Sequence, residues 1–259
     1  MLEIEGKTFL KIIKWLDAFG QLNFVPEESE TLIYGTSEDR IGMVWLKRTD
    51  FDGLPSDGLG LEPRWIKTYL KKLRYDILLD VIEKKNKYYW RIREKSPSNM
   101  IVDSWEFPAV AAVTERLNPN KIDYPKEKTL KLVIHSFKEY KGIIDNLDKF
   151  EEIAFECDSA NETIKLIAED DLALIRYEVD LREEETVTEY SLPDSGFVAK
   201  YRVSPFKNYV SKVLSFANEP LVIEVMKDCP MRVTGSIGAV NPPEIDFMIF
   251  VAPVVEGII

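Results

Sequence analysis

The chain has 259 residues, of which 45% are hydrophobic and 11% aromatic, so it can bury one large core or two ordinary ones. Asp and Glu number 45 against 34 Lys and Arg; the net charge of −11 excludes a uniformly basic surface but allows a local one. Two cysteines without metal-ligand spacing, no signal-peptide pattern and no membrane-length apolar run predict a soluble protein of the cytoplasm or, in a eukaryote, the nucleus.

The first half of the chain alternates helices with groups of strands. A short strand over 1–5 precedes a helix whose apolar residues recur at i, i+3, i+4 and i+7, namely Phe9, Ile12, Ile13 and Leu16. The strands "LNFV", "TLIYG" and "IGMVWLKR" follow, then a helix over 65–73, then "DILLDVIEK", "KYYWRIREK" and "NMIVDSWEF". Turns rather than helices join these strands, so the sheets are expected to be antiparallel.

Residues 115–128, "ERLNPNKIDYPKEK", show neither helical nor strand periodicity and contain two prolines and two asparagines. This composition predicts an extended linker, with an ordinary inter-domain loop as the alternative. The apolar residues Leu117, Ile122 and Tyr124 indicate that the segment lies against the body of the protein.

The second half repeats the first. "FLKIIKWLDAF" (9–19) matches "YKGIIDNLDKF" (140–150) without a gap, and "WIKTYLKKL" (65–73) matches "PFKNYVSKV" (205–213) at a larger offset. The difference in offset predicts a longer, turn-rich loop at 181–196. We therefore expect an α+β fold of two similar domains, 1–114 and 129–259, each an antiparallel sheet layer with two helices on one face.

Residues that carry enzyme chemistry are scarce. The single histidine, His135, is expected to be structural, and the chain has no nucleophile elbow, phosphate-binding glycine loop or metalloprotease motif. The run Glu183–Glu185 is typical of a solvated loop, and Asp170 and Asp171 fall in a turn. These features favour a binding protein without catalysis or cofactor; a carboxylate or metal enzyme is the alternative.

Basic residues concentrate on the predicted helices. The segment 63–73 contains no acid, and helical spacing predicts that Arg64, Lys67, Lys71 and Lys72 share one face. A solvated helix face is one reading, and a surface facing a polyanion is the other. The candidate residues of such a surface are Lys7, Lys11, Lys14, Arg64, Lys67, Lys71, Lys72, Lys138, Lys141, Lys207 and Lys212.

The combination resembles a sliding clamp of the proliferating-cell-nuclear-antigen type. The tail "CPMRVTGSI … IDFMIFVAPVV" resembles the ending of that family, "FLKIIKWL" its first inner helix, and "SEDRIGMVWL" its Asp-x-Ser-x-Val turn and strand. In the last stretch Ser37 stands where the family usually has Asp, and Asp39 where it has Ser. The resemblance implies a non-enzymatic processivity factor with helices lining a ring of three chains around DNA. Its subunits are expected to pair head to tail through edge strands near 99–107 and 171–179.

The resemblance also implies an apolar pocket for short peptides of DNA polymerase, clamp loader, ligase and flap nuclease. Its candidate residues are Ile41, Met43, Leu117, Ile122, Tyr124, Pro230, Met231, Phe250, Val251, Ala252 and Pro253. A clamp-like subunit of a heteromeric ring and a monomeric processivity factor remain alternatives.

Overall fold

The computed structural model describes residues 2–27, 30–37, 42–48, 53–113, 122–136, 140–194, 196–214, 216–238 and 245–254. The chain divides into two compact units. The first consists of residues 1–116 and 237–247, and the second of residues 117–236 and 248–259. The predicted linker, 115–128, stays a prediction as a whole because residues 114–121 lie outside the described residues.

The first unit carries two α-helices and the strands β1 to β9. The helices are α1 (Gly6–Leu16), continued by a 3-10 turn (Asp17–Phe19), and α2 (Pro63–Tyr69). The strands are β1 (Leu2–Ile4), β2 (Leu22–Glu27), β3 (Glu30–Thr36), β4 (Gly42–Arg48), β5 (Leu59–Leu61), β6 (Asp76–Lys84), β7 (Lys87–Lys95), β8 (Ile101–Pro108) and β9 (Val110–Ala111). Strands β1, β6, β7 and β8 form one sheet in that order. Strands β4, β3, β2, β5 and β9 are hydrogen-bonded to one another in that order in a second sheet.

The second unit has the same kinds of element. Its helices are α3 (Tyr140–Asn146), followed by a 3-10 turn (Leu147–Lys149), and α4 (Val203–Pro205), which continues as a π-helical segment (Phe206–Ser211); a further 3-10 turn (Lys126–Lys128) precedes its first strand. The strands are β10 (Thr129–Ile134), β11 (Glu152–Asp158), β12 (Thr163–Glu169), β13 (Leu174–Asp180), β14 (Val187–Ser191), β15 (Phe197–Arg202), β16 (Leu221–Met226), β17 (Met231–Ile237) and β18 (Ile245–Val251). The last residue of β17 and the first three of β18 belong to the first unit. One sheet has the order β13-β12-β11-β15, and the other neighbours run β14-β10-β16-β17-β18.

The strand orders of the two units correspond. The order β1-β6-β7-β8 matches β10-β16-β17-β18, and β4-β3-β2-β5 matches β13-β12-β11-β15. The registers determined between strands in both units are antiparallel, for example Phe24 opposite Ile33 and Phe155 opposite Leu166. The α+β class and the antiparallel pairing predicted from the sequence are confirmed, and the internal repeat is visible in the strand order.

Two local predictions are wrong. The helix predicted over 65–73 ends at Tyr69, because Leu70 leaves the helical region at ψ 80° after its N–H has bonded to the carbonyl of Ile66. Lys71 and Lys72 therefore do not continue a helical face. The predicted loop 181–196 contains strand β14, which pairs with β10; its Val, Thr and Tyr favour a strand despite the acidic neighbours.

Candidate nucleic-acid interface and partner site

Helix α1 separates a buried apolar face from an exposed basic one. Phe9, Ile12, Ile13, Trp15 and Leu16 are buried on one side. The exposed lysines are Lys7, Lys11 and Lys14, spaced i, i+4 and i+7. No acid occurs between Gly6 and Leu16, although acids outnumber bases in the chain. This face can meet a row of phosphates without a carboxylate intervening.

Helix α2 packs against α1 and adds two exposed cations. The proline at its first position supplies a φ suited to a helix start. Arg64 pairs with Glu62 at 2.6 Å, and Lys67 pairs with Asp17 at 2.5 Å. Exposed ion pairs of this kind contribute about 0–1 kcal/mol, so both cations can be drawn to a nearby phosphate.

The segment after α2 is fixed by a residue that the sequence reasoning missed. Glu94 on β7 is only 5% exposed, and its carboxylate accepts hydrogen bonds from the N–H groups of Arg74 at 2.5 Å and Tyr75 at 2.9 Å. A buried carboxylate needs such partners, and charge-assisted bonds are strong. Glu94 therefore holds the backbone that follows the exposed Lys71 and Lys72. The sequence did indicate the burial of Glu94, because alternate residues of a strand face the same side and Glu94 alternates with the buried Trp90 and Ile92.

The basic residues predicted in the second unit are less completely described. Lys138 lies outside the described residues, and Lys141 lies on α3 with its side chain not described. Lys212 is exposed and Lys207 half-buried. Because α3 carries the exposed Asp145 and the cations of α2 pair with carboxylates, the clearest acid-free basic face is that of α1.

The two predicted interface strands, β8 and β13, both lie at sheet ends, as predicted, and both expose apolar side chains. On and beside β8 these are Met100, Ile101 and Val102, and on and before β13 they are Leu172, 96% exposed, and Leu174. A groove of about 530 Å³ between α2 and β8 is lined by aromatic residues that include Trp105, Phe107 and the largely exposed Tyr69. Exposed apolar edges of this kind are typical of protein–protein contacts.

Tyr124 anchors the end of the predicted linker within the second unit. Its hydroxyl donates a 2.7 Å hydrogen bond to the carbonyl of Pro230, and the guanidinium of Arg232 lies 4.1 Å from its ring centroid. Arg232 is held in turn by Glu224 opposite it, with 2.5 Å between Nε and Oε2. Burial raises the pKa of Tyr124, and the nearby Arg232 offsets this only in part, so the hydroxyl remains a donor.

A second tyrosine, also missed by the sequence reasoning, ties the tail of the chain to the same place. The hydroxyl of Tyr201 lies 3.0 Å from the carbonyl of Cys229 and 3.2 Å from that of Met226, and burial raises its pKa. The backbone of Tyr201 forms a bridge with Pro253. The turn before β17 and the Ala-Pro tail thus lie beside one another in the second unit.

The predicted pocket residues divide into three groups. Ile122, Tyr124, Pro230, Ala252 and Pro253 are partly exposed, as a binding wall requires. Met231, Phe250 and Val251 are buried, so they form core rather than an accessible wall. Ile41 and Leu117 lie outside the described residues, and the side chain of Met43 is not described.

Other kinds of site find no support among the described residues. No group of three or more His, Cys, Asp or Glu there is placed to hold a metal ion. No described helix is long and apolar enough to cross a membrane. Cys157 is buried, which raises the pKa of its thiol to about 12 and makes it a poor nucleophile.

Comparison with solved structures identifies the fold. PCNA from Thermococcus kodakaraensis superposes with a TM-score of 0.75 at 14% sequence identity, over 97% of this chain and 99% of that one. A chain of the PCNA2–PCNA3 complex from Sulfolobus tokodaii gives 0.74 at 14% identity, over 97% and 99%. No protein-family model matches the chain, and no curated protein matches it significantly in sequence. The chain has the fold of a PCNA-type sliding clamp, as its sequence resemblance implied.

Proposed function

We propose that this protein is a DNA sliding clamp, a non-enzymatic processivity factor that encircles duplex DNA and tethers replication and repair proteins to it. The observation that carries the proposal is the acid-free basic face of α1, with Lys7, Lys11 and Lys14 exposed in one row, on a PCNA-type fold. Contacts from lysines to phosphates do not depend on base sequence, as a protein that moves along DNA requires.

Ring closure is proposed to occur head to tail. Strand β8 and strand β13 are different edges of the same chain, so pairing one with the other joins copies in a single direction. The exposed apolar residues at both edges supply surface to bury, and pairing satisfies the open backbone groups. Three chains, identical or related, are proposed to close the ring.

The partner site is proposed to be the partly exposed surface around Tyr124, Pro230, Ala252 and Pro253. Partners of the expected kind are DNA polymerase, clamp loader, ligase and flap nuclease, each through a short peptide with aliphatic and aromatic anchors. This surface is supported by the contacts of Tyr124 and Tyr201, which fix its shape before any peptide arrives.

The test of the proposed function measures mass and DNA retention together. Light scattering is expected to give three chains per particle. The loaded protein is expected to stay on closed circular DNA and to leave linear DNA by its ends. A mass of one chain with retention on both DNAs would identify a monomeric processivity factor. A single chain that assembles only with related subunits would identify a heteromeric ring. Absence of DNA binding in every state would refute the clamp function.

Tyr124 is expected to matter for both the fold and the partner site. Its hydroxyl bonds to the carbonyl of Pro230 and its ring contacts Arg232, so its loss is expected to affect stability as well as binding. Tyr124→Phe removes only the hydroxyl, and the loss of one hydrogen bond is expected to lower the free energy of unfolding by about 0.5–1.5 kcal/mol. Tyr124→Ala removes the ring as well and is expected to weaken peptide binding by on the order of 1–3 kcal/mol.

Calorimetry with a Gln-x-x-aliphatic-x-x-aromatic-aromatic peptide measures the binding effect, and thermal unfolding measures the effect on stability. Tyr190→Ala, which removes a partly exposed tyrosine of β14, is the control and is expected to leave peptide binding unchanged. Equal peptide affinity of the wild type and Tyr124→Ala would show that Tyr124 supports the fold alone.

A further inference from the structure

The two cores are built from different aromatic residues. All five tryptophans of the chain lie within its first 105 residues: Trp15, Trp45, Trp65, Trp90 and Trp105. Trp15 and Trp90 are among the largest fully buried side chains of the first unit. In the gapless match of 9–19 with 140–150, Trp15 corresponds to the exposed Asn146. The second unit therefore has the same strand order with no tryptophan in its core.

A cavity of about 110 Å³, partly open to the surface, lies in the second unit. It is bounded by α3, by the π-helical segment and by strands of both sheets, with Phe155, Ile164, Leu166 and Val179 among its lining residues. Every lining residue in the part of the chain that the structure describes is apolar or a tyrosine.

The two tyrosine hydroxyls at the cavity already have partners. The hydroxyls of Tyr140 and Thr186 lie 2.5 Å apart, and the hydroxyl of Tyr177 accepts a hydrogen bond from Asn146 at 3.1 Å. Water in such a cavity needs two to four polar partners, and among the described residues the lining provides only these two hydroxyls, each already in one hydrogen bond. A charged or hydrogen-bonding ligand would be unsatisfied for the same reason.

We propose that this cavity is a binding site for a small apolar ligand of the size of a single aromatic ring. Dry cavities of about 150 Å³ lined by Leu, Ile and Phe bind benzene in other proteins. The present cavity, at about 110 Å³, is somewhat smaller and has a similar lining. A ligand there gains contacts with apolar side chains that otherwise face solvent or empty space. The site is independent of the proposed DNA and peptide surfaces, so its test does not depend on clamp function.

The test is thermal unfolding of the full chain with benzene or with pyridine, which has nearly the same size but carries a hydrogen-bond acceptor. Benzene is expected to raise the midpoint of unfolding in proportion to the logarithm of its concentration once the site is saturated, because it binds the folded state. Pyridine is expected to raise the midpoint much less. No shift with benzene up to its solubility limit, or equal shifts with both compounds, would overturn the proposal.

A matched pair of variants locates the effect. Leu166 on β12 lines the cavity and lies opposite Phe155, and Ile33 on β3 lies opposite Phe24 in the same register. Leu166→Phe is expected to fill the cavity, raise the midpoint without ligand and abolish the benzene shift. Ile33→Phe enlarges a buried residue of the first unit, where Phe24 already packs on Trp90 with 4.4 Å between the ring centroids. It is expected to lower the midpoint and keep the benzene shift.

A benzene shift of undiminished size in folded Leu166→Phe would show that the ligand binds elsewhere. If that variant does not fold, hydrogen exchange of the wild-type protein decides. Benzene is expected to slow exchange in α3, β12 and β13 more than in β2 and β3. Equal slowing in both units, or none, would contradict the proposal.

Discussion

Reversal of Lys7, Lys11 and Lys14 to Glu is expected to remove most of the salt-sensitive binding of this protein to DNA. Each lysine that neutralises a phosphate contributes roughly 0.9 to the slope of log K against log salt, so the slope is expected to fall by up to about 2.7 per contacting chain. The new carboxylates would also repel the phosphates. Binding to several unrelated duplexes across a salt series measures the change, which is expected to be the same for each sequence.

The matched control reverses Lys85, Lys87 and Lys227, three exposed lysines at the turn between β6 and β7 and at the turn after β16. This variant has the same net charge as the α1 variant. It therefore separates an effect of the α1 surface on DNA binding from an effect of net charge. It is expected to bind DNA nearly as the wild type does. An equal loss of affinity in both variants would mean that net charge, rather than the face of α1, governs DNA binding.

Substitution of either edge strand is expected to dissociate the ring. Val102→Arg places a charge on β8, and Leu174→Arg places one on β13; both side chains are about half exposed in the single chain. Burial of an unpaired arginine at an interface is expected to weaken it by about 2 kcal/mol or more, and the weakened contact recurs at every junction. Each variant alone is therefore expected to run as a single chain in light scattering.

Mixing the two edge variants tests the direction of assembly. Each retains one intact edge, so head-to-tail pairing predicts a one-to-one dimer that cannot grow further. Dimers of Val102→Arg alone would indicate that β13 pairs with β13. An intact trimer of either variant would exclude that edge from the interface.

The sequence predicted the features that depend on neighbouring residues. The spacing of Phe9, Ile12 and Ile13 correctly predicted the buried face of α1, and the three lysines fall on the opposite side. The edge strands near 99–107 and 171–179, implied by the family resemblance, are sheet ends in the structure. The buried face of a helix follows from the spacing of nearby apolar residues, and the repeat follows from comparing two segments of the same chain.

Features that depend on distant residues could not be predicted in the same way. The hydrogen bonds from Arg74 and Tyr75 to Glu94, and that of Tyr124 to Pro230, join positions 19 to 106 residues apart. The end of α2 at Tyr69 is one such case, since "YLKKL" has good helix formers and no stop signal. The backbone leaves the helix there, and the N–H groups that follow bond to Glu94. Helix propensity depends on nearby residues only and cannot predict this distant partner.

The uneven placement of tryptophan gives the molecule a built-in optical asymmetry. Tryptophan emission reports on the surroundings of the five tryptophans, which lie between residues 15 and 105. The second unit has tyrosine and phenylalanine but no tryptophan, so its unfolding does not contribute to this signal directly. Emission and far-ultraviolet dichroism, recorded during one denaturant titration, therefore sample different parts of the chain. Coincident curves would mean that the halves unfold as one cooperative body, and separated curves would reveal two. A single tryptophan introduced at the exposed position 146 would give the second unit a signal of its own.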